Sequence, residues 1–352
     1  MAKKRVTIKD LAKEMDLSVS TISRALNDHT SIGLKTREKV KKMASEMGYF
    51  PNTVASNLRI KKTSSIGVIV PRMDVHFHSK AISGIEDVAY RLGYNVSIFQ
   101  SNNSLQREIS ITSILQTRMV EGIIVCLGLN IQDTSHFDVF KKIDVPIVFF
   151  DRVPEDPDIN KVVINDFSAA FEATEHLISI GCKNIAHIAG SQLTKIFKDR
   201  LEGYKSALKK HHLPINENLI AFAEELNYEN GVKCANHFLS QKNRPDGLFC
   251  ANDYSAISAI QTFLKNNYRV PEDIAIVGFS NYPMSEFIEP TLTTIDDDAY
   301  EMGKNAAKLL FRKINEDEEN VVSESIVMRT RLIKRNSTMG REKGGAQIAD
   351  DV

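Results

Sequence analysis

Near the start of the chain, apolar positions recur at helical spacing in three short runs. Ile8, Leu11, Ala12 and Met15 fall at i, i+3, i+4 and i+7, with Thr7 placed as N-cap and Asp10 as its capping-box partner. Ser18 can cap a second helix whose apolar side is Val19, Ile22 and Leu26. A third pattern starts near Lys35, runs through Val40, Met43, Ala44 and Met47, and ends at Gly48. Three short helices around a shared mini-core predict a helix-turn-helix domain. From Ser65 onward the pattern changes: short apolar runs (Ile66 to Val70, Val96 to Phe99, Ile123 to Cys126, Ile147 to Phe150, Ile185 to Ala189, Leu248 to Cys250, Ile274 to Val277) alternate with amphipathic helical stretches. That alternation predicts parallel sheets covered by helices. The stretch "DRVPEDPDINKVVIND" interrupts the rhythm and divides the body into two similar halves, each its own open α/β layer.

Charge adds an asymmetry that the totals hide. The chain of 352 residues carries 45 basic and 45 acidic side chains. Residues 1–62 hold 14 Lys and Arg against 6 Asp and Glu, which leaves 31 against 39 for the remainder. A small basic module on a mildly acidic body points to a polyanionic partner. The four cysteines, Cys126, Cys182, Cys234 and Cys250, show no CxxC spacing and read as buried reduced thiols. No apolar h-region follows "MAKKRVTIKDL" and no run approaches the ~20 apolar residues of a membrane span, so a cytoplasmic protein without membrane association is expected.

The second helix has the side chains that groove entry requires. Residues at its leading end must be short for the backbone to approach base edges, and Val19, Ser20 and Thr21 are short. Arg24 offers a long fork for guanine or phosphate, while Ser23, Asn27 and His29 suit phosphate oxygens. Helical spacing alone fits a solvated amphipathic hairpin equally well.

The following segment is more specific. "VTIKDLAKEMDLSVSTISRALN", "KTREKVKKMASEMGYFPN" and "VASNLRIKKTSSIGVIVP", in that order, followed by "LIKRNST" at 332–338, resemble the LacI/GalR family of bacterial transcription regulators over nearly the whole chain. The resemblance implies that Val19 and Ser20 read bases, that Thr21, Ser23 and Asn27 hold phosphates, and that Arg24 reads or braces. It also implies a hinge helix over Asn52 to Leu58, with Leu58 wedged into the minor groove at the centre of a palindrome, which unstacks a base step at a cost of a few kcal/mol. The expected DNA-contact set is Thr7, Ser18, Val19, Ser20, Thr21, Ser23, Arg24, Asn27, His29, Asn52, Ala55 and Leu58. Two positions depart from the family pattern: Asp16 stands where many members have Gly, and Gly33 where many have a Ser cap. Asp tolerates a left-handed backbone and Gly is an acceptable N-cap.

In the body, ligands of open α/β sheets bind beyond the carboxyl ends of the strands, and two facing halves make a cleft. Phe77, Asp151, Arg152, Asn252, Asp253, Ser280 and Asn281 follow apolar runs, and Arg200 lies in the helix after "HIAG". Asp, Asn and Arg with one aromatic ring suit vicinal hydroxyls, which both donate and accept; any one of these positions could instead be a strand-end or helix cap. The resemblance implies a two-lobed body similar to periplasmic sugar-binding proteins, with pocket roles for Asp151, Arg200, Asn252 and Asp253. "VGFSN" has Ser280 and Asn281 where many members have two aspartates. With Lys195 and Lys198 nearby, the lost carboxylate raises the expectation of an anionic effector, a sugar acid or sugar phosphate. The expected effector set is Phe77, Asp151, Arg200, Asn252, Asp253, Ser280, Asn281 and Asp297.

Other clusters read blandly. "HFH" at 76–78 belongs in a solvated loop rather than a metal site, since two His at i and i+2 have no neighbouring Cys or Glu in sequence. "DDD" at 296–298 caps the helix starting near Ala299, with Asp297 able to face the cleft, and "EDEEN" at 316–320 is a solvated acidic turn. No cofactor or metal is expected.

These observations predict an α/β chain: a helix-turn-helix domain (1–50), a hinge helix and linker (51–63), and a two-lobed type I periplasmic-binding-protein-like body (64–338), with a disordered tail (339–352). The first lobe is expected over about 64–163 and 294–322, and the second over about 164–291 and 323–338. The function expected is that of a homodimeric regulator, a repressor of a palindromic operator on double-stranded DNA, controlled by a small-molecule effector (a sugar, sugar acid or sugar phosphate) bound between the two lobes. The alternatives are a carbohydrate-binding protein or an enzyme on the α/β scaffold with an accessory DNA-binding domain. No GxGxxG, P-loop or GxSxG is present to support the enzyme.

Overall fold

The computed structural model describes residues 6–49, 63–316 and 322–340. The chain divides into two units, 1–63 and 64–352.

The first unit consists of α1 (Ile8–Glu14), α2 (Val19–Leu26) and α3 (Leu34–Glu46). Thr7 and Asp10 form the capping box at the start of α1, and the Ser18 side chain accepts from the Thr21 amide to cap α2. Asp16 takes up the left-handed backbone at φ 52° that lets the chain turn between these helices. Gly33 caps α3 through its backbone alone. Leu11, Ala12, Ile22, Ala25, Val40 and Ala44 are buried, with Met15, Leu17, Met47 and Tyr49 packed around them. Such a core is small, so each helix is held mainly by its two neighbours.

The second unit contains two six-stranded sheets. The first comprises β1 (Ser65–Val70), β2 (Asn95–Gln100), β3 (Gly122–Val125), β4 (Ile147–Phe150), β5 (Asn160–Ile164) and β11 (Ser325–Met328), in the order β11-β5-β4-β3-β1-β2 and parallel throughout. Around it lie α4 (His76–Arg91), α5 (Leu105–Thr117), the short α6 (Asp138–Lys141) and α12 (Ala299–Ile314). The second comprises β6 (Ile185–Ala189), β7 (Ile220–Phe222), β8 (Gly247–Cys250), β9 (Ala275–Phe279), β10 (Thr293–Asp296) and β12 (Arg331–Ile333), in the order β12-β10-β9-β8-β6-β7. Only the β10–β12 pair in it is antiparallel. Its helices are α7 (Asp166–Ser179), α8 (Lys195–Lys210), α9 (Tyr228–Ser240), α10 (Asp253–Lys265) and α11 (Met284–Phe287). The central strands β1, β3, β4, β6, β8 and β9 are buried almost throughout, which accounts for their apolar runs; in β6 the run is interrupted by the buried His187, whose Nδ1 lies 2.9 Å from the Phe249 carbonyl.

The chain passes from one lobe to the other after β5, after β10 and after β11. The second and third passages differ from the sequence expectation. Residues 293–296 belong to the second sheet and 325–328 to the first, where 294–322 was expected in the first lobe and 323–338 in the second. Apolar patterning shows that a strand exists, but the partner edge is chosen by register. Ile326 and Val327 align with Val162 and Val163 at the open edge beside β5.

Helices α4 and α12 cross at two glycines. A Cβ at Gly84 would overlap the Tyr300 carbonyl oxygen, and one at Gly303 would overlap the Ala81 carbonyl oxygen. The obstacles are backbone atoms, so the helices must separate to admit a methyl. Gly303→Ala is therefore expected to destabilise the second unit by about 1–3 kcal/mol through overpacking, seen as a lower midpoint in thermal or urea denaturation. An unchanged midpoint would show that the crossing has slack.

Candidate functional site

The outward face of α2 is built from side chains whose local bonds are already made. Ser18 Oγ lies 2.8 Å from both Ser20 Oγ and Thr21 Oγ1 while accepting from the Thr21 amide at 3.1 Å. Thr7 is exposed and engaged in its capping box, donating from Oγ1 to Asp10 Oδ2 at 2.7 Å. Val19 is 42 % exposed, an uncommon position for a large apolar side chain with core positions one turn away. Ser20, Arg24, Asn27 and His29 are exposed beside it; Thr21 and Ser23 are half-buried. Asn27 Nδ2 donates to the Ser23 carbonyl at 2.9 Å, and the Ser31 amide donates to His29 Nδ1 at 3.2 Å, so the His29 proton sits on Nε2. Asp28, the one acidic residue following this face, is paired with Lys41 at 2.6 Å, which lowers its pKa. An exposed, short-chained, cationic helix face with its neighbouring carboxylate neutralised is suited to a phosphate-lined groove. Asn52, Ala55 and Leu58 lie outside the described residues.

In the second unit, strand ends of the two lobes face each other across a cavity of about 350 Å³. The first lobe contributes Arg72, Asp74, Phe77 and His78 after β1, Asn103 after β2, Leu129 after β3, and Asp151 and Arg152 after β4. The second contributes Phe197 and Arg200 from α8, residues 224–228 after β7, Asn252 and Tyr254 after β8, Ser280 and Tyr282 after β9, and Asp297 after β10. Contacts bridge the lobes beside it. His76 meets Tyr282 edge-on at 5.6 Å, and Ser191 Oγ donates to Asn130 Oδ1 at 2.6 Å.

Phe77, Asp151, Arg200, Asn252, Ser280 and Asp297 all line this cavity; Asp253 and Asn281 do not. Asp253 is fully buried, accepting from the Tyr282 amide at 2.6 Å, Ser285 Oγ at 2.8 Å and Thr294 Oγ1 at 2.6 Å, so it ties together the ends of the second sheet. Burial pushes its pKa up to about 6. Asn281 Oδ1 accepts from Arg335 Nη2 at 2.9 Å, a contact made away from the cavity. Asn252 caps α10 through the Ser255 amide and also donates from Nδ2 to the Leu226 carbonyl at 2.7 Å. Arg200 donates from Nε to Asp166 Oδ1 at 2.7 Å and from Nη1 to the Ala251 carbonyl at 2.6 Å, with its guanidinium 3.6 Å from the Phe279 ring centre.

Lys195 and Lys198 do not line this cavity. They pair with Asp199 at 2.7 Å and Glu155 at 3.8 Å beside a separate hollow. The "HFH" residues also differ from expectation. They open α4 rather than a solvated loop, because their strand is followed by a helix packed on the sheet, and His78 is buried. Burial and the nearby Arg152 push its pKa down to about 3, which keeps it neutral. The run at 296–298 splits into three roles: Asp296 pairs with Arg331, Asp297 faces the cavity and Asp298 caps α12. Glu316 pairs with Lys313; the rest of 316–320 and the tail beyond 340 lie outside the described residues. All four cysteines are buried. Arg72, Asp74, His78, Asn103, Tyr228, Tyr254 and Tyr282 were not among the expected effector residues. Most follow strands directly, and that position was the signal that could have found them.

Asp297 gives the cavity a proton-linked element. It is buried, accepts from Ser280 Oγ at 2.6 Å, and burial raises its pKa to about 8, against the pull of Arg200. A folded-state pKa above the unfolded value means that its stabilising contribution is complete below about pH 4 and is lost as pH rises through about 8. Asp297→Asn keeps the acceptor for Ser280 and cannot ionise. Its melting temperature relative to wild type is therefore expected to rise between about pH 5.5 and about pH 9, and a difference constant with pH would show that Asp297 is ionised throughout.

Comparisons with known proteins agree with both halves of this arrangement. Residues 7–52 match the family described as "Bacterial regulatory proteins, lacI family", and residues 174–338 match "Periplasmic binding protein-like domain". Catabolite control protein A of Priestia megaterium is 32 % identical over 334 residues, covering 95 % of this chain and 99 % of its own. The lac repressor dimer bound to operator and the anti-inducer ONPF superposes with a TM-score of 0.85 at 26 % identity, covering 95 % of this chain and 99 % of that one. The transcriptional regulator CelR in complex with cellobiose superposes with a TM-score of 0.72 at 26 % identity, covering 95 % of this chain and all of that one (100 %). Among the described residues no helix is long and apolar enough to cross a membrane. With a helix-turn-helix followed by a two-lobed periplasmic-binding-protein-like body, and with relatives that are regulators rather than enzymes, the chain belongs to the LacI family of DNA-binding transcriptional regulators.

Proposed function

We propose that the protein is a homodimeric repressor whose affinity for a palindromic operator is set by a small neutral saccharide held in the interlobe cavity. The lac repressor dimer on its operator and the CelR–cellobiose complex are the structural precedents for the two ligands. Two protomers present α2 to successive half-sites, and residues 51–63 act as the hinge that pairs only when the bodies hold the right spacing. Saccharide binding changes how the lobes close, and operator affinity changes by the coupling free energy, typically about 1–3 kcal/mol.

The pairing of the guanidinium groups carries the choice of a neutral sugar over the sugar acid or sugar phosphate that the sequence also allowed. Each arginine lining the cavity already has a carboxylate: Arg72 has Asp74, Arg152 has Asp151 at 3.6 Å, and Arg200 has Asp166 at 2.7 Å. Lys195 and Lys198, which prompted the anionic reading, lie elsewhere. A sugar phosphate would meet no uncompensated cation here, and Glu224 and Glu225 would oppose it. A neutral sugar finds aromatic faces in Phe77, Tyr254 and Tyr282, and polar groups in Ser280, Asn103 and the remaining Arg200 N–H groups.

Calorimetric titration of neutral saccharides, sugar acids and phosphosugars is expected to give binding only for the neutral class. Tight binding of a phosphosugar with its neutral parent inert would overturn this choice. On DNA, Leu58→Ala is expected to cost about 1–3 kcal/mol of operator binding and to leave non-specific binding nearly unchanged, while Ser20→Ala alters preference at one base position per half-site. Equal losses of specific and non-specific affinity in a gel-shift series would remove Leu58 from the wedge role.

A further inference from the structure

His78, Cys126 and Asp151 come from three neighbouring strands of the first sheet. His78 is in the first turn of α4 after β1, Cys126 directly follows β3, and Asp151 directly follows β4. Because β1, β3 and β4 lie side by side and run parallel, their ends deliver one ring nitrogen, one thiol and one carboxylate oxygen within 4.8 Å of one another. Cys126 Sγ is 3.9 Å from His78 Nε2 and 3.6 Å from Asp151 Oδ2. The Arg72 carbonyl lies 2.7 Å from His78 Nδ1 and can only accept, so the ring proton is on Nδ1 and the lone pair of Nε2 faces the cluster. An imidazole anchored by a backbone carbonyl on its far nitrogen is the outer support that metal-ligating histidines have. Imidazole nitrogen, thiolate sulfur and carboxylate oxygen are each zinc ligands, and three protein ligands leave a tetrahedral ion one further position. His78 and Asp151 also line the cavity, so the cluster is reached from it.

A cation already stands among these acceptors. Arg152 Nη2 is 3.2 Å from His78 Nε2, and Arg152 Nε is 3.6 Å from Asp151 Oδ2. The guanidinium is lightly held: Nε makes no hydrogen bond among the described residues, and Nη1 reaches Asn103 Oδ1 only at 3.5 Å. Arg152 lines both this cavity and the neighbouring hollow, so its head group has space on either side.

We propose that His78, Cys126 and Asp151 form a site for a thiophilic divalent cation of the zinc class, which takes the place of the Arg152 guanidinium. Binding releases the Cys126 thiol proton to solvent and turns Arg152 away, because two cations cannot share these acceptors. Because His78 and Asp151 line the effector cavity, the titration is made on protein without any saccharide, and its outcome is therefore separate from that of the effector screen.

The geometry makes two variants act in opposite directions. Full-length protein stripped by chelator is titrated with Co²⁺, and with Zn²⁺ in competition against a chromophoric chelator. About one Co²⁺ per chain is expected, with a near-ultraviolet thiolate-to-metal band. Cys126→Ser should remove that band and weaken Zn²⁺ binding by about 10-fold or more, whereas Arg152→Ala should tighten it by about 10-fold. His78→Gln should weaken it as Cys126→Ser does. Circular dichroism and thermal melting check the fold of each variant, since unfolding would expose the other buried cysteines to the metal, and the Arg152 substitution tests the idea by a gain in folded protein. Absence of the thiolate band in folded protein, or Zn²⁺ affinity unchanged by both Cys126→Ser and Arg152→Ala, would overturn the proposal.

Discussion

Arg200 is a charge taken out of water, and the wall of the second lobe is arranged around keeping it charged. Its side chain is about 5 % exposed, yet it has a carboxylate partner in Asp166, a backbone acceptor at Ala251 and the face of Phe279 beneath it. These three contacts come from the start of α7, the end of β8 and the end of β9, so a single guanidinium holds three chain segments in one geometry. Removing one partner would leave the other charge buried and unpaired, which is far more costly than the pair is stabilising. Asp166 shows the same tension: burial lifts its pKa to about 6 even though Arg200 pulls it down. The N–H groups of Arg200 that Asp166 and Ala251 do not use remain for a ligand in the cavity.

The rest of the cavity is made by strands that stop where the lobes face each other. Asp151, Ser280, Asn281 and Asp298 have positive φ, at 57°, 93°, 46° and 47°, and all lie just past strand ends at or beside the cavity. Non-glycine residues in that region cost free energy and persist where surrounding contacts determine them. Here those contacts are visible. Ser280 is held by its bond to Asp297, Asn281 by Arg335, and Asp298 by its role as the cap of α12. The backbone turns sharply enough to present side chains to the gap rather than continue the ladder.

The DNA-reading unit is governed by a different balance. Its buried set is a handful of aliphatic side chains, so caps and turns contribute a larger share than they do in the body. The Thr7–Asp10 box, the Ser18 cap and the left-handed Asp16 each satisfy groups that would otherwise be orphaned at a helix end. With those bonds made within the unit, Val19, Ser20 and Arg24 stay exposed at the surface of α2.

The sequence alone was enough to determine the three small helices, their caps, the buried parallel strands and the division of the body into two similar layers. These features follow from local rules: periodicity, capping chemistry and the run length of apolar residues are all read along the chain. The expectation that Phe77, Asp151, Arg200, Asn252, Ser280 and Asp297 gather at one cavity beyond the strand ends was legible for the same reason, since open α/β sheets place ligands there. Only the tertiary structure decided that Asp253 is a buried tie between strand ends, that Asn281 turns to Arg335, and that Lys195 and Lys198 lie apart from the cavity. It alone assigned residues 293–296 and 325–328 to their sheets and brought Cys126 beside His78. The physical reason is common to all of these. A residue's type limits the bonds it can make, but partners dozens of positions away compete for them, and strand register and sheet order settle which partner is in reach.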